Sequence, residues 1–208
     1  MTQARGCWPL LAALTALPGC FSGLNSNTPA PQRYVLQAQL TSAAAPARSA
    51  ASVQVLRPSA APGLAGSGIA VLRSGSRLDF YRNADWAADA PVALQGLVID
   101  ALRTAEGFAT VESDSGPFAA QYVLSLDLEH FEASYEQAGP PTVQVTLICT
   151  LGRRSDRSVL VSFTAQGTAR ADADRMQAVI AAFERATSEA LSQVAQSVVP
   201  PAVGPAQP

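Results

Sequence analysis

Three stretches in the second half of the chain alternate apolar and polar side chains with a period of two, and they limit the fold more than any other feature. Over residues 142–151, Val143, Val145, Leu147, Cys149 and Leu151 share one phase, and Gln144, Thr146 and Thr150 take the other. Over 122–131, Leu124, Leu126 and Leu128 lie on one face, with Ser125, Asp127 and Glu129 opposite. Val159, Val161, Phe163 and Ala165 repeat the pattern inward. Successive strand side chains point to opposite faces, so runs of this kind predict half-buried strands. Ala138-Gly139-Pro140-Pro141 and Arg153-Arg154-Ser155-Asp156-Arg157 are the turns between them, which gives a three-strand meander. The phase puts Cys149 on the core face and sets His130 in line with the leucines.

Two other stretches have helical periodicity. Leu94, Leu97, Val98, Ala101, Leu102 and Ala105 predict a helix over 91–106, with Asp89 as cap, Pro91 in the first turn and Gly107 at the exit. Met176, Val179, Ile180, Phe183, Thr187, Leu191, Val194 and Val198 predict a longer one, capped by Asp172 or Asp174 and ended by Pro200. Shorter strands are expected at 34–40, 53–56, 69–73, 78–81 and 108–112, with Ser74-Gly75-Ser76 as a hairpin turn and loops over 41–51 and 57–68. Hairpin-linked strands cannot bury both faces alone. The expected fold is therefore α/β (α+β): a mixed, mostly antiparallel sheet with both long helices packed on one face.

The first residues read as an address. Arg5 is followed by an apolar stretch over 7–17, too short to span a bilayer and interrupted by Pro9. Leu17-Pro18-Gly19-Cys20 then resembles the bacterial lipobox, which implies cleavage between Gly19 and Cys20 and a diacylglyceryl group on the Cys20 thiol, with acylation of the new amine (palmitate-type chains). The alternative is an ordinary signal peptide with an incidental cysteine. On the lipobox reading, residues 1–19 are a signal peptide, 20–32 a lipidated cysteine and flexible tether, 33–199 the folded domain, and 200–208, with four prolines, a disordered tail. Phe21 stands where inner-membrane retention signals often place Asp. By resemblance to the sorting rule, this implies the periplasmic face of the outer membrane. Cys149 remains the only free thiol, and burial is what keeps such a thiol inert.

Composition excludes two broad classes. Charged residues are 14% against the roughly 25% of ordinary soluble domains, and 48% are hydrophobic, which is not the profile of a disordered chain. Net charge is −2 with all fourteen basic residues arginine, so there is no basic footprint for nucleic acid.

Residues with chemical potential are few. One histidine, His130, rules out a two-histidine metal site, and no Cys/His cluster has metal-ligand spacing. No Gly-x-Ser-x-Gly accompanies it. Asp127 and Glu129 lie two apart on one strand face, which suits a solvent-facing strand better than paired catalytic carboxylates. Gly63-Leu64-Ala65-Gly66-Ser67-Gly68 precedes a strand rather than a helix and lacks phosphate-loop context. Arg153, Arg154 and Arg157 fit either a solvated turn or a surface for a partner or lipid headgroups. Trp86 has two readings, a seal between the first long helix and the sheet or an aromatic partner contact, and Tyr81 lies on the same segment. No catalytic set, metal or cofactor is expected.

The chain resembles the ABC-type transport auxiliary lipoproteins, which include the paraquat-inducible C-type and membrane-integrity-associated transporter lipoproteins. The resemblance is carried by Ile69-Ala70-Val71-Leu72-Arg73, by Arg77-Leu78-Asp79-Phe80-Tyr81, and by Asp85-Trp86-Ala87 leading into the first helix. It continues through Tyr122-Val123-Leu124 with Leu128, Phe131 and Tyr135, and through residues 176–183, and it spans roughly residues 34–199. It implies a non-enzymatic envelope role beside an ABC permease and a protein with a mammalian-cell-entry domain, in a system moving lipids or other hydrophobic molecules between membranes. Because partners of that kind form rings, a homo-oligomer is open. Rival readings are a lipid-carrying domain, a wall-associated structural lipoprotein and an anchored hydrolase.

Overall fold

The computed structural model describes residues 30–40, 49–73 and 77–200. In chain order the elements are β1 (Gln32–Tyr34), β2 (Ser52–Val55), β3 (Ser59–Ala60), β4 (Gly68–Arg73), β5 (Arg77–Trp86), α1 (Ala90–Ala105), β6 (Thr110–Ser113), β7 (Tyr122–Ser134), β8 (Thr142–Arg153), β9 (Val159–Arg170) and α2 (Met176–Ser197). The predicted cleavage site at Gly19 and Cys20, the Ser74-Gly75-Ser76 turn and the tail beyond residue 200 lie outside the described residues.

All nine strands form one open, mixed sheet organised about β7. One edge of β7 pairs antiparallel with β8 over its full length, and β8 pairs antiparallel with β9. The other edge is tiled by three short parallel strands in sequence: β2 beside Tyr122–Leu124, β3 beside Asp127 and Leu128, and β4 beside Glu132–Ser134. Beyond them β6 extends β2, while β5 and then β1 extend β4. The antiparallel ladders are the long ones, so the sheet is mostly antiparallel, and both helices lie together on one face.

The core follows from the alternation. Leu124, Leu126, Leu128, Val143, Val145, Leu147, Cys149 and Leu151 are all buried beneath the helices. Helix α2 meets the sheet through small residues one turn apart, Ala178, Ala182, Ala186 and Ala190, all buried. At Gly167 the approach is so close that a Cβ would sit 1.8 Å from the Ala186 carbonyl oxygen. Trp86, Phe131 and Phe183 make an aromatic trio, with centroids 5.0–5.6 Å apart, where β5, β7 and α2 converge.

Several local expectations are corrected. The strand expected over 34–40 ends at Tyr34, because its partner β5 ends at Trp86. The chain then crosses onto α2, burying Leu36 and donating the Gln39 N–H to Ser188 Oγ at 2.8 Å. The register of β7 against β8 shifts between Leu128 and His130, and this extra residue turns His130 outward and Phe131 into the core. Val159 is exposed rather than inward, beyond an irregularity at the start of β9. Asp89 occupies the N-cap of α1 without a side-chain bond, and Glu106, not Gly107, takes the left-handed exit conformation. Arg175 is the N-cap of α2, since Asp174 accepts a hydrogen bond from Tyr135 and Asp172 pairs with Arg185.

Two tests follow from this packing. Gly167→Ala pushes a methyl into helix backbone that cannot yield cheaply, and overpacking costs about 1–3 kcal/mol or more. At roughly 2–4 °C per kcal/mol for a domain of this size, the thermal midpoint should fall by at least about 2 °C. Circular dichroism melting checks this, and an unchanged midpoint would mean that α2 does not pack so closely. Burial also pushes the Cys149 thiol up to about 12, which leaves almost no thiolate at neutral pH. Its labelling by a disulfide reagent should be slow in native protein and fast in denaturant.

Candidate functional site

The expected contact residues fall at the two ends of β7. Tyr81 and Trp86 lie near its C-terminal end, whereas the arginine turn joins β8 to β9 beside its first residue, where Tyr122 pairs with Arg153. A strand of 13 residues is about 40 Å long at ~3.3 Å per residue, so these are two surfaces and not one site.

The first surface is built by a break in β5. Gly68 pairs with Asp85 and Ala70 with Phe80, so residues 81–84 bulge out opposite Ile69 alone. Asn83 sits in the left-handed region at φ 59°, a conformation that Asn tolerates better than most residues. The bulge is pinned by a relay of hydroxyls. Tyr81 Oη lies 2.9 Å from Tyr135 Oη, which donates to Asp174 Oδ1 at 2.6 Å, and the Arg73 guanidinium stacks 4.9 Å above the Tyr135 ring. Burial, then the contact with Tyr135, holds the Tyr81 hydroxyl well above its ordinary range; burial and the bond to Asp174 raise Tyr135 as well. Beside the bulge is a cleft of about 450 Å³, lined by Gln32, Tyr34, Asn83, Arg175 and Met176. Tyr81 thus holds the bulge against β7 and α2 and borders this cleft. Trp86 is corrected: at 2% exposure it packs on Phe131 and Phe183 and offers no contact surface.

The three arginines of the second surface have different roles. Arg154 belongs to the fold: its Nε donates to the Ala120 carbonyl at 3.0 Å, its Nη2 donates to Gln54 Oε1, and its N–H donates to the Gln121 carbonyl at 2.9 Å. Arg153 pairs with Asp156 at 3.1 Å. Asp156 also accepts from the Ser158 hydroxyl and N–H, and these bonds, then Arg153, bring its carboxyl down to about 2. Arg157 is exposed at φ 58° and has no ion-pair partner among the described residues.

His130 is half-exposed, with Nδ1 2.7 Å from Glu132 Oε1. The buried Glu132 carboxylate also accepts the Phe131 N–H at 2.6 Å, which fixes it to the β7 backbone. Asp127 accepts from Ser59 Oγ and faces solvent with Glu129. Among the described residues no hydroxyl or thiol is hydrogen-bonded to His130. The relay from Tyr81 to Asp174 escaped sequence reading, since its members lie far apart in the chain. Asn83 between Arg82 and Ala84 was the one local hint of the bulge.

The model of the ABC-type transport auxiliary lipoprotein component family matches residues 34–195. The chain belongs to this family. Its members are auxiliary transport lipoproteins rather than enzymes, and no helix among the described residues is long and apolar enough to cross a membrane. The crystal structure of a Xanthomonas campestris protein of the DUF330 family is similar, with a TM-score of 0.70 and 26% identity, over 79% of this chain and 92% of that one. A second solved structure, of an uncharacterised protein, shares the fold at a TM-score of 0.64 and 14% identity, over 80% of this chain and 97% of that one. No curated protein matches the sequence.

The unequal roles of the arginines make a direct test. Arg154→Gln removes two side-chain bonds that tie the turn to the β2 side of the sheet and should cost about 1 kcal/mol, or ~2–4 °C in the thermal midpoint. Arg157→Gln should leave the midpoint within about 1 °C. Equal losses in the two variants would contradict the bonding of the turn.

Proposed function

We propose that this auxiliary lipoprotein is a non-enzymatic subunit held by a lipidated Cys20 at the periplasmic face of the outer membrane. There it docks the outer end of an ABC permease system whose mammalian-cell-entry-type protein carries lipids or other hydrophobic molecules. The family match, which covers the described domain almost end to end, carries this reading. The Leu17-Pro18-Gly19-Cys20 motif supports the anchor, since two or more acyl chains hold a protein stably at ~0.8 kcal/mol per buried CH₂. Nine residues, or ten Cα-to-Cα steps, separate Cys20 from Ala30, so the domain stays within about 35 Å of the lipid surface at ~3.3–3.6 Å per step. Arg153 and Arg157 are the contacts we assign to the partner, through charge that steers binding and is screened by salt. The close seat of α2 on Gly167 favours docking over carriage, because the helix packs directly where a lipid-carrying fold would hold its cargo.

Mass spectrometry of the mature N-terminus from membranes tests the anchor. A diacylated or triacylated Cys20 is expected, with Cys20→Ala giving an unprocessed or soluble product; an unmodified Cys20 in the membrane fraction overturns it. Partner recovery tests the contact. Arg153→Gln with Arg157→Gln should reduce recovery of the mammalian-cell-entry-type protein, more so at low salt than at high salt, while the fold is retained. Undiminished recovery and transport exclude that turn.

A further inference from the structure

The end of the domain where the chain enters carries charge that the fold does not use. Ala30 borders the cleft of about 450 Å³ beside the β5 bulge, and Arg82 and Arg175 line the same cleft, one from the bulge and one from the start of α2. Both are exposed, and neither guanidinium has an ion-pair or hydrogen-bond partner among the described residues. Asn83, beside Arg82, has no side-chain partner there either. Gln32 accepts the Tyr34 hydroxyl through Oε1 at 2.8 Å, which leaves its Nε2 free to donate. Asp174 is the one carboxylate of the lining, and its Oδ1 already accepts the Tyr135 hydroxyl. The cleft is therefore rich in donors and poor in free acceptors, and arginine forks match the oxygens of a phosphate. The neighbouring hairpin adds to the excess, since Arg73 and Arg77 share a single carboxylate, Asp79. Of the other acidic residues at this end, Asp172 pairs with Arg185, and Glu136 stands exposed on the loop after β7. All sixteen Asp and Glu but only twelve of the fourteen Arg lie among the described residues, so this basic end belongs to an acidic domain.

We propose that this end rests on the anionic headgroups of the membrane that holds Cys20, with Arg82 and Arg175 clamping a phospholipid phosphate in the cleft. The proposal depends on the Cys20 anchor. Two observations commit the surface to lipid. The first is where the chain arrives. It reaches the domain at Ala30, on the rim of the cleft, so this end is the one the tether brings to the bilayer. The arginine turn lies about 40 Å away along β7, about as far as the tether can stretch. The second is charge complementarity. An anionic leaflet attracts the basic end and repels the acidic remainder, which selects one orientation. Anchoring also makes the encounter intramolecular, so a clamp too weak to hold a phosphate from solution is occupied at the membrane. The tether by itself leaves the tilt of the domain open, and the headgroup contact sets it.

The experiment reconstitutes the full lipidated chain in vesicles of phosphatidylethanolamine and phosphatidylglycerol, and in vesicles of phosphatidylcholine alone. A fluorophore is attached at Gln177→Cys, in the first turn of α2, or at Ser155→Cys, in the arginine turn, both exposed positions. Cys149 is buried and Cys20 acylated, so neither takes the label. Lipid with a nitroxide on its headgroup quenches labels close to the surface. In the anionic vesicles, quenching at Gln177→Cys is expected to exceed that at Ser155→Cys several-fold. It should fall several-fold in phosphatidylcholine, at high salt, and in Arg82→Gln with Arg175→Gln. Arg82→Lys with Arg175→Lys should keep most of it, and all of these exposed variants should melt as the parent does. Equal quenching at the two positions, or quenching indifferent to lipid charge and to the arginine pair, overturns the proposal; the chain then still sediments with both vesicle types, and the anchor stands. A chain left in the supernatant of both removes the anchor, and this contact with it. Absent quenching, with Arg82→Gln and Arg175→Gln lowering recovery of the mammalian-cell-entry-type protein, assigns the cleft to a protein partner and overturns the proposal as well.

Discussion

The structure depends on β7 being long enough to be shared. Its 13 residues pair on one side with a single strand of nearly equal length and on the other with three short ones laid end to end. None of β2, β3 and β4 exceeds six residues, and a two-stranded hairpin of that size is marginal in water. Each is held because β7 is already fixed by β8, and β8 by β9. The long antiparallel ladders are local in sequence, whereas the short parallel ones bring in chain from 60 or more residues away. This division suits the meander to form first and the N-terminal strands to add to it, since non-local pairing must overcome a larger loop-closure entropy.

Helix α2 serves the sheet in two ways, and its sequence is divided accordingly. One stripe is small: Ala178, Ala182, Ala186 and Ala190 let the backbone come down on Gly167, where a single methyl would not fit. The flank carrying Arg185, Glu189 and Gln193 reaches over the sheet edge and bonds the free backbone of β9. The close seat makes the reach possible, since polar side chains of this length span to the strand only if the helix lies low on it. Substitutions that lift α2 would loosen the core and uncover the edge together.

Much of this was legible in the sequence, for reasons that individual residues make plain. Val143 to Leu151 alternate without interruption, so the phase of β8 and the burial of Cys149 could be read directly. The same reasoning failed at His130, because one extra residue in β7 reverses every later side chain and nothing in Leu128-Glu129-His130-Phe131 announces it. Trp86 was legible as a seal between the first long helix and the sheet, but its partners Phe131 and Phe183 were not, since they are remote in sequence. The arginines of the β8–β9 turn read as one cluster. Only the fold separates Arg154, bonded across to Gln54 and Ala120, from the unpaired Arg157. The helix caps were misread for a related reason, as Asp174 was committed to a tyrosine that sequence spacing could not connect to it.

The arrangement gives the domain a direction. The chain from Cys20 enters at Ala30 and Gln32, beside the β5 bulge and the start of α2, at the C-terminal end of β7. The arginine turn lies toward its other end, about 40 Å away at ~3.3 Å per residue. An anchor at Cys20 would therefore hold one end of the domain near the lipid and present the other away from it, with β7, β8 and β9 as the rigid span between. A contact made at Arg157 would then be set off from the membrane by the length of a strand. That offset is fixed by hydrogen-bonded ladders rather than by the tether, so the reach of the subunit is a property of its sheet.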